Sequence, residues 1–127
     1  ERVNVLYQPA DNKIYVRQGT DAEPLFRGLA QEIAKVYLKQ KNLNCCNSAF
    51  TAYSVAYVLC RKNQLSCEAF RFDRMPAEFG SMDAKSARQE LGTIRRVSNM
   101  MIGDMNRVLD AYDRKQPQKQ STNREER

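Results

Sequence analysis

Between residues 83 and 114 the side chains Ala87, Leu91, Ile94, Ser98, Met101, Met105, Val108 and Tyr112 recur at alternating intervals of four and three. Only an α-helix puts residues so spaced on one face. The pattern therefore commits this stretch to one long helix with a seam of about four heptads. Packing of the seam on the domain's own core is expected, with a coiled coil to a partner as the alternative. A chain of 127 residues suits a single domain around one core. Apolar residues are 42% of it and charged residues 28%, ordinary values for a soluble globular protein. No apolar run approaches the roughly 18 residues of a membrane span, and no charged-then-apolar stretch suggests a secretory signal. A soluble cytoplasmic protein without a membrane partner is expected. The chain opens on Glu1 and not on Met, which suggests a domain of a longer polypeptide.

Upstream, Val3–Tyr7 and Lys13–Arg17 are short β-rich runs separated by the turn residues Gln8-Pro9-Ala10-Asp11-Asn12, the signature of a hairpin. Thr20-x-x-Glu23 has the form of a capping box, and a helix over about 22–41 follows. It places Leu25, Phe26, Leu29, Ile33, Val36 and Tyr37 on one stripe, and Asn42 and Asn44 close it. A second helix runs from about Ser48, read as its N-cap, to Lys62. It is apolar nearly all round and is expected at the centre of the core. Phe70-Arg71-Phe72 reads as a short extended stretch, broken at Met75-Pro76. Residues 115–127 carry Pro117 and no apolar anchor, so a disordered polar tail is expected after a domain spanning 1–114. The expected class is α+β: an N-terminal hairpin, a helical core and a long C-terminal helix.

The net charge of +6 raises the question of nucleic acid, so its distribution matters. Residues 1–60 carry seven Lys/Arg against five acids, 61–114 carry ten against eight, and 115–127 carry four against two. Each segment contributes equally, which describes a solvated surface better than a phosphate-binding stripe. The four cysteines, at 45, 46, 60 and 67, match neither a disulfide framework nor a zinc spacing. Cys60 reads as a small core residue. The chain has no histidine, so no histidine-ligated metal site can form.

The hairpin, the helix Phe26-Arg27-Gly28-Leu29-Ala30-Gln31-Glu32-Ile33-Ala34-Lys35 and the stretch Ala52-Tyr53-Ser54-Val55-Ala56-Tyr57-Val58-Leu59-Cys60 resemble, in that order, the zincin-like metallopeptidase domains of conjugative and mobile elements. This is the LtrC-like and ArdC-type antirestriction group, and the resemblance covers most of residues 3–112. In that family the first helix reads LAHEIAHA and the second carries AE ahead of an apolar run. Two histidines of H-E-x-x-H bind zinc, the intervening Glu is the general base, and a Glu on the second helix is the third ligand. Carried over by position, Gln31 and Lys35 replace the histidines and Tyr53 replaces the third ligand. Only Glu32 keeps its family identity. Lys35 brings a positive charge to the place of the metal. The expectation is a vestigial site in which the Lys35 ammonium pairs with Glu32 and is touched by Gln31 and the Tyr53 hydroxyl. The plain alternative is that Gln31, Glu32 and Lys35 form the wet face of an amphipathic helix.

The function expected from the resemblance is that of a non-catalytic metallopeptidase-like module of a mobile-element protein, without cofactor or bound metal. It would bind or scaffold a protein partner, or the remainder of a longer polypeptide. One alternative is a hydrolase whose metal is held by Glu32 with Cys45, Cys46 or Cys67. Another is a nucleic-acid module using Arg88, Arg95, Arg96 and Arg107, with Arg71 and Arg74 nearby and acids at 90, 104 and 110 interrupting the face.

Overall fold

The computed structural model describes residues 5–115. Strand β1 (Val5–Gln8) pairs antiparallel with β2 (Lys13–Val16) in the register Val5–Val16, Leu6–Tyr15, Tyr7–Ile14 and Gln8–Lys13. The turn between them is closed by the Asn12 N–H, which donates to the Pro9 carbonyl at 3.2 Å. Asn12 takes φ of 52°, a left-handed conformation that asparagine tolerates better than most residues. Three helices follow: α1 (Ala22–Gln40), α2 (Ser48–Lys62) and α3 (Ala84–Arg114), with a short 3₁₀ turn at Ala77–Phe79. The class is α+β, as the sequence patterns imply. Val3 and Asn4 of the first β-rich run, and 116–127 of the expected tail, lie outside the described residues.

Local chemistry sets the helix ends. The expected capping box at α1 does not form. Asp21 is the N-cap, without a side-chain cap bond, while the Thr20 hydroxyl donates to the Arg17 carbonyl at 2.6 Å. The helix starts one residue later than a Thr20 cap requires, and Thr20 belongs to the turn leaving β2. At α2 the cap is Asn47, one residue before the expected Ser48, and its side chain accepts from the Phe50 N–H at 2.9 Å. Asp83 caps α3 by accepting from the Ser86 N–H at 2.8 Å, a bond that lowers the Asp83 pKa from its ordinary value.

Both α1 and α2 end in the same way. Asn42 (φ 52°) and Gln64 (φ 59°) turn left-handed, and the following Leu43 and Leu65 N–H groups donate back to the Leu38 and Cys60 carbonyls at 3.0 and 2.9 Å. This reversed ending satisfies the orphaned terminal carbonyls and returns both leucines to the core.

Helix α2 is central, touching both α1 and α3. The buried residues of α1 are Ala30, Ala34 and Leu38, and α2 meets them with Ala52, Val55, Ala56 and Leu59. Small residues at four-residue spacing let two helix backbones approach closely along one ridge. The consequence for α1 differs from its sequence pattern. Its bulky stripe of Leu25, Phe26, Leu29, Ile33, Val36 and Tyr37 is only half-buried, because the alanine line holds the innermost position.

Helix α3 closes the core with Val97, Ser98 and Met101. The heptad seam packs on the domain through its middle and runs off the core at both ends. Leu91, Val108 and Tyr112 are 64%, 67% and 55% exposed. The α2–α3 connection is pinned by rings: Phe70 packs against Tyr53 at 5.1 Å and Tyr57 at 5.4 Å, and Phe79 against Phe50 at 5.0 Å. Phe70-Arg71-Phe72 thus lies against α2 through its side chains and forms no strand.

Candidate functional site

Of Gln31, Glu32, Lys35 and Tyr53, the structure joins two directly. The Lys35 ammonium donates to Glu32 Oε2 at 3.0 Å, an i, i+3 pair on α1. The other oxygen, Glu32 Oε1, accepts the Tyr7 backbone N–H of β1 at 3.1 Å. Glu32 therefore ties the hairpin to the helix and is largely covered, its side chain 13% exposed against 41% for Lys35. Tyr53 is engaged elsewhere. Its hydroxyl accepts the Arg71 N–H at 2.6 Å and its ring packs on Phe70 and Phe72. The aromatic wall between α2 and residues 70–72 holds it there, so it makes no hydrogen bond to Lys35. Gln31 is half-buried one residue before Glu32.

These geometries rank two substitutions. Lys35→Ala removes a partly exposed pair and is expected to cost under about 1 kcal/mol. Glu32→Ala also orphans the Tyr7 amide and is expected to cost about 1–3 kcal/mol. Urea unfolding of both variants checks the order, and a larger loss for Lys35→Ala would contradict it.

All four cysteines are free thiols. Burial pushes the Cys60 thiol above its ordinary pKa. Cys46 is raised chiefly by its hydrogen bond to the Glu90 carboxylate, so both thiols are held in the weakly nucleophilic form. Among the described residues no three His, Cys, Asp or Glu side chains converge as metal ligands must. Glu90 accepts the Cys46 N–H on both oxygens at 3.1 Å, and the Thr93 hydroxyl donates to the Asn44 carbonyl at 3.1 Å. These bonds fasten the first half of α3 to the α1–α2 connection.

The arginines of α3 differ in their surroundings. Arg88, Arg95 and Arg96 are exposed, whereas Arg107 pairs with Asp104 on the next turn of its own helix. Seven-residue spacing puts Arg88 and Arg95 on one face and leaves Arg96 to the side.

A concave, largely apolar feature lies between α1 and the second half of α3, with a volume of about 400 Å³. Phe26, Leu29, Ile33 and Tyr37 form one wall, the half-buried stripe of α1. Met105, Val108 and Leu109 form the other, and Ala30, Leu59 and Met101 the floor. Asp104 is the one charged residue of the lining. It accepts the Tyr37 hydroxyl and pairs with Arg107, which links the two walls at the rim.

The seam pattern contained Met101, Met105, Val108 and Tyr112, but Leu109, Ile102 and Asp104 escaped it. The signal for the first two was present. Ile102 and Leu109 each follow a seam residue, widening the stripe to three positions in seven, the width of a helix that needs cover on more than one side. Asp104 carries no such mark in the sequence.

No family model, curated protein or solved structure matches the chain. Among the described residues no helix is long and apolar enough to cross a membrane.

Proposed function

We propose that this chain is a non-catalytic binding module that docks an amphipathic protein helix in the groove between α1 and α3. One observation carries the reading: two apolar helix faces front a groove of about 400 Å³ with a single carboxylate in its lining. A helix is about 10–12 Å across with its side chains, and an apolar trough between two helices is its usual receptor. Met101 and Met105 on the α3 side are unbranched and adaptable, suited to a surface that must accept another chain.

The zincin-like frame enters as scaffold. Glu32, the one retained residue of H-E-x-x-H, has both oxygens engaged, one by Tyr7 and one by Lys35. A general base has to reach water, whereas the Glu32 side chain is only 13% exposed, and the ammonium of Lys35 stands where the resemblance would seat the metal. The carboxylate works as a clamp between hairpin and helix. The mobile-element setting follows from the resemblance alone.

The test uses two synthetic peptides of equal composition, one with leucines at i, i+3, i+4 and i+7 and one scrambled. Titrated into isotope-labelled protein, the patterned peptide is expected to shift the amides of Leu29, Ile33, Met105 and Val108 saturably, and the scrambled one is not. Ile33→Asp is expected to weaken binding by at least about tenfold, or about 1.4 kcal/mol. Equal responses to both peptides, or shifts confined to another surface, would overturn the reading.

A further inference from the structure

We infer that the helix filling this groove is α3 of a second copy of this chain, which rests on the docking reading above. Three observations converge on that occupant. First, the chain itself carries a helix of the required kind without cover. From Met105 onward the wide apolar stripe of α3 continues through Val108, Leu109 and Tyr112, and all three of these are more than half exposed. The twelve residues after Lys115 contain no Ala, Val, Leu, Ile, Met or aromatic side chain.

Second, groove and overhanging helix belong to one surface. The same Val108 and Leu109 that wall the groove also stand on the overhang. A two-fold axis beside them would lay each copy's overhang across the other's groove, the self-complementary arrangement of a closed dimer. In an antiparallel pairing, seam positions meet in alternate pairs. Met105 then faces Val108 of the second copy, and Tyr112 of the second copy reaches the groove floor at Met101. The result is four helices around one new apolar core, α1 and α3 from each copy.

Third, charge permits it. The chain carries +6, which would hold two copies apart if it were concentrated here. From Asp104 to Lys115, α3 instead holds three acids, Asp104, Asp110 and Asp113, against three bases, Arg107, Arg114 and Lys115. This segment is neutral overall. In the antiparallel register Arg107 lies nearly level with Arg107 of the second copy, and Asp104 with its Asp110, but helix geometry turns Arg107 and Asp110 away from the Met105–Val108–Tyr112 face.

Light scattering and sedimentation velocity on the full chain, from low micromolar to hundreds of micromolar, test the inference. A dimer whose population rises with concentration is expected. Val108→Asp, at an exposed position, is expected to give a monomer with unchanged helical circular dichroism. Leu91→Asp, equally exposed on the same helix but away from the groove, is expected to leave the dimer intact. A wild-type monomer throughout the range overturns the inference, as does a dimer indifferent to Val108→Asp. If that monomer still binds the patterned peptide, the choice of occupant falls while the docking groove stands. If it binds no patterned peptide, both fall.

Discussion

Leu59→Ala is expected to lower the unfolding free energy by about 2–5 kcal/mol, the range for a buried leucine truncated in a packed interior. Leu59 has no exposed surface and sits where α2 meets both neighbours, against the alanine line of α1 and the Met101 side of α3. Backbones held close by alanines cannot collapse further into the space it vacates, so the cavity persists and the loss falls toward the upper part of the range. Against a total of about 5–15 kcal/mol for a typical domain, the variant would be near its folding limit. Chemical denaturation with far-ultraviolet circular dichroism reads the change. A loss below about 1 kcal/mol would mean that the three helices do not share this point of contact.

Gly28→Ala sets two effects against each other. Replacing glycine inside a helix by alanine gains up to about 1 kcal/mol from the backbone alone. The new methyl, however, would stand 2.6 Å from Val5 Cγ2 and 2.9 Å from Val5 Cβ. A β-branched side chain on a paired strand can yield little, and its Cβ moves only with the backbone. Overpacking of this kind costs about 1–3 kcal/mol, so the expected result is net destabilisation with the hairpin lifted from α1. The Tyr7–Glu32 bond would lengthen with it, since it spans the same contact. Val5→Ala in the Gly28→Ala background removes the Cγ2 overlap but keeps Cβ, so it is expected to recover part of the loss, and the double-mutant cycle measures that coupling. A Gly28→Ala protein more stable than wild type would show that β1 is not seated on this glycine.

The elements themselves were legible in the sequence, since hairpin and helices follow from turn residues and from periods of two and of three to four. What the patterns did not give was the order of burial within a helix. The stripe of Phe26, Leu29 and Ile33 has the greater apolar volume, and periodicity reads it as the core face. The core instead took Ala30 and Ala34, because α2 brings its own alanines to the crossing and the tightest approach goes to the smallest side chains. That choice depends on a partner helix and is invisible in either helix alone. For the same reason the groove could not be foreseen: it exists because the bulky stripe was left over and because α3 outruns the core. The caps shifted by one residue from their expected places, from Thr20 to Asp21 and from Ser48 to Asn47. Of the candidate site, the Glu32–Lys35 pair was readable from i, i+3 spacing. Tyr53 was not, since its hydroxyl went to the backbone of Arg71, a partner supplied by a loop without a regular pattern.

The alanine contact also bears on how cheaply this chain can order itself. Helices α1 and α2 are joined by residues 41–47 alone, and the entropy lost in closing so short a loop is small. Both ends of that joint are fixed locally, by the left-handed Asn42 and by the Asn47 cap. The two helices form a near-neighbour hairpin whose contacts are mostly local in sequence, the kind of topology that assembles fast. The third helix is joined through the longer segment 63–83, whose closure costs more entropy. Ordering of the chain is thereby divided into an inexpensive local step and a costlier long-range one, and the groove sits on the seam between them.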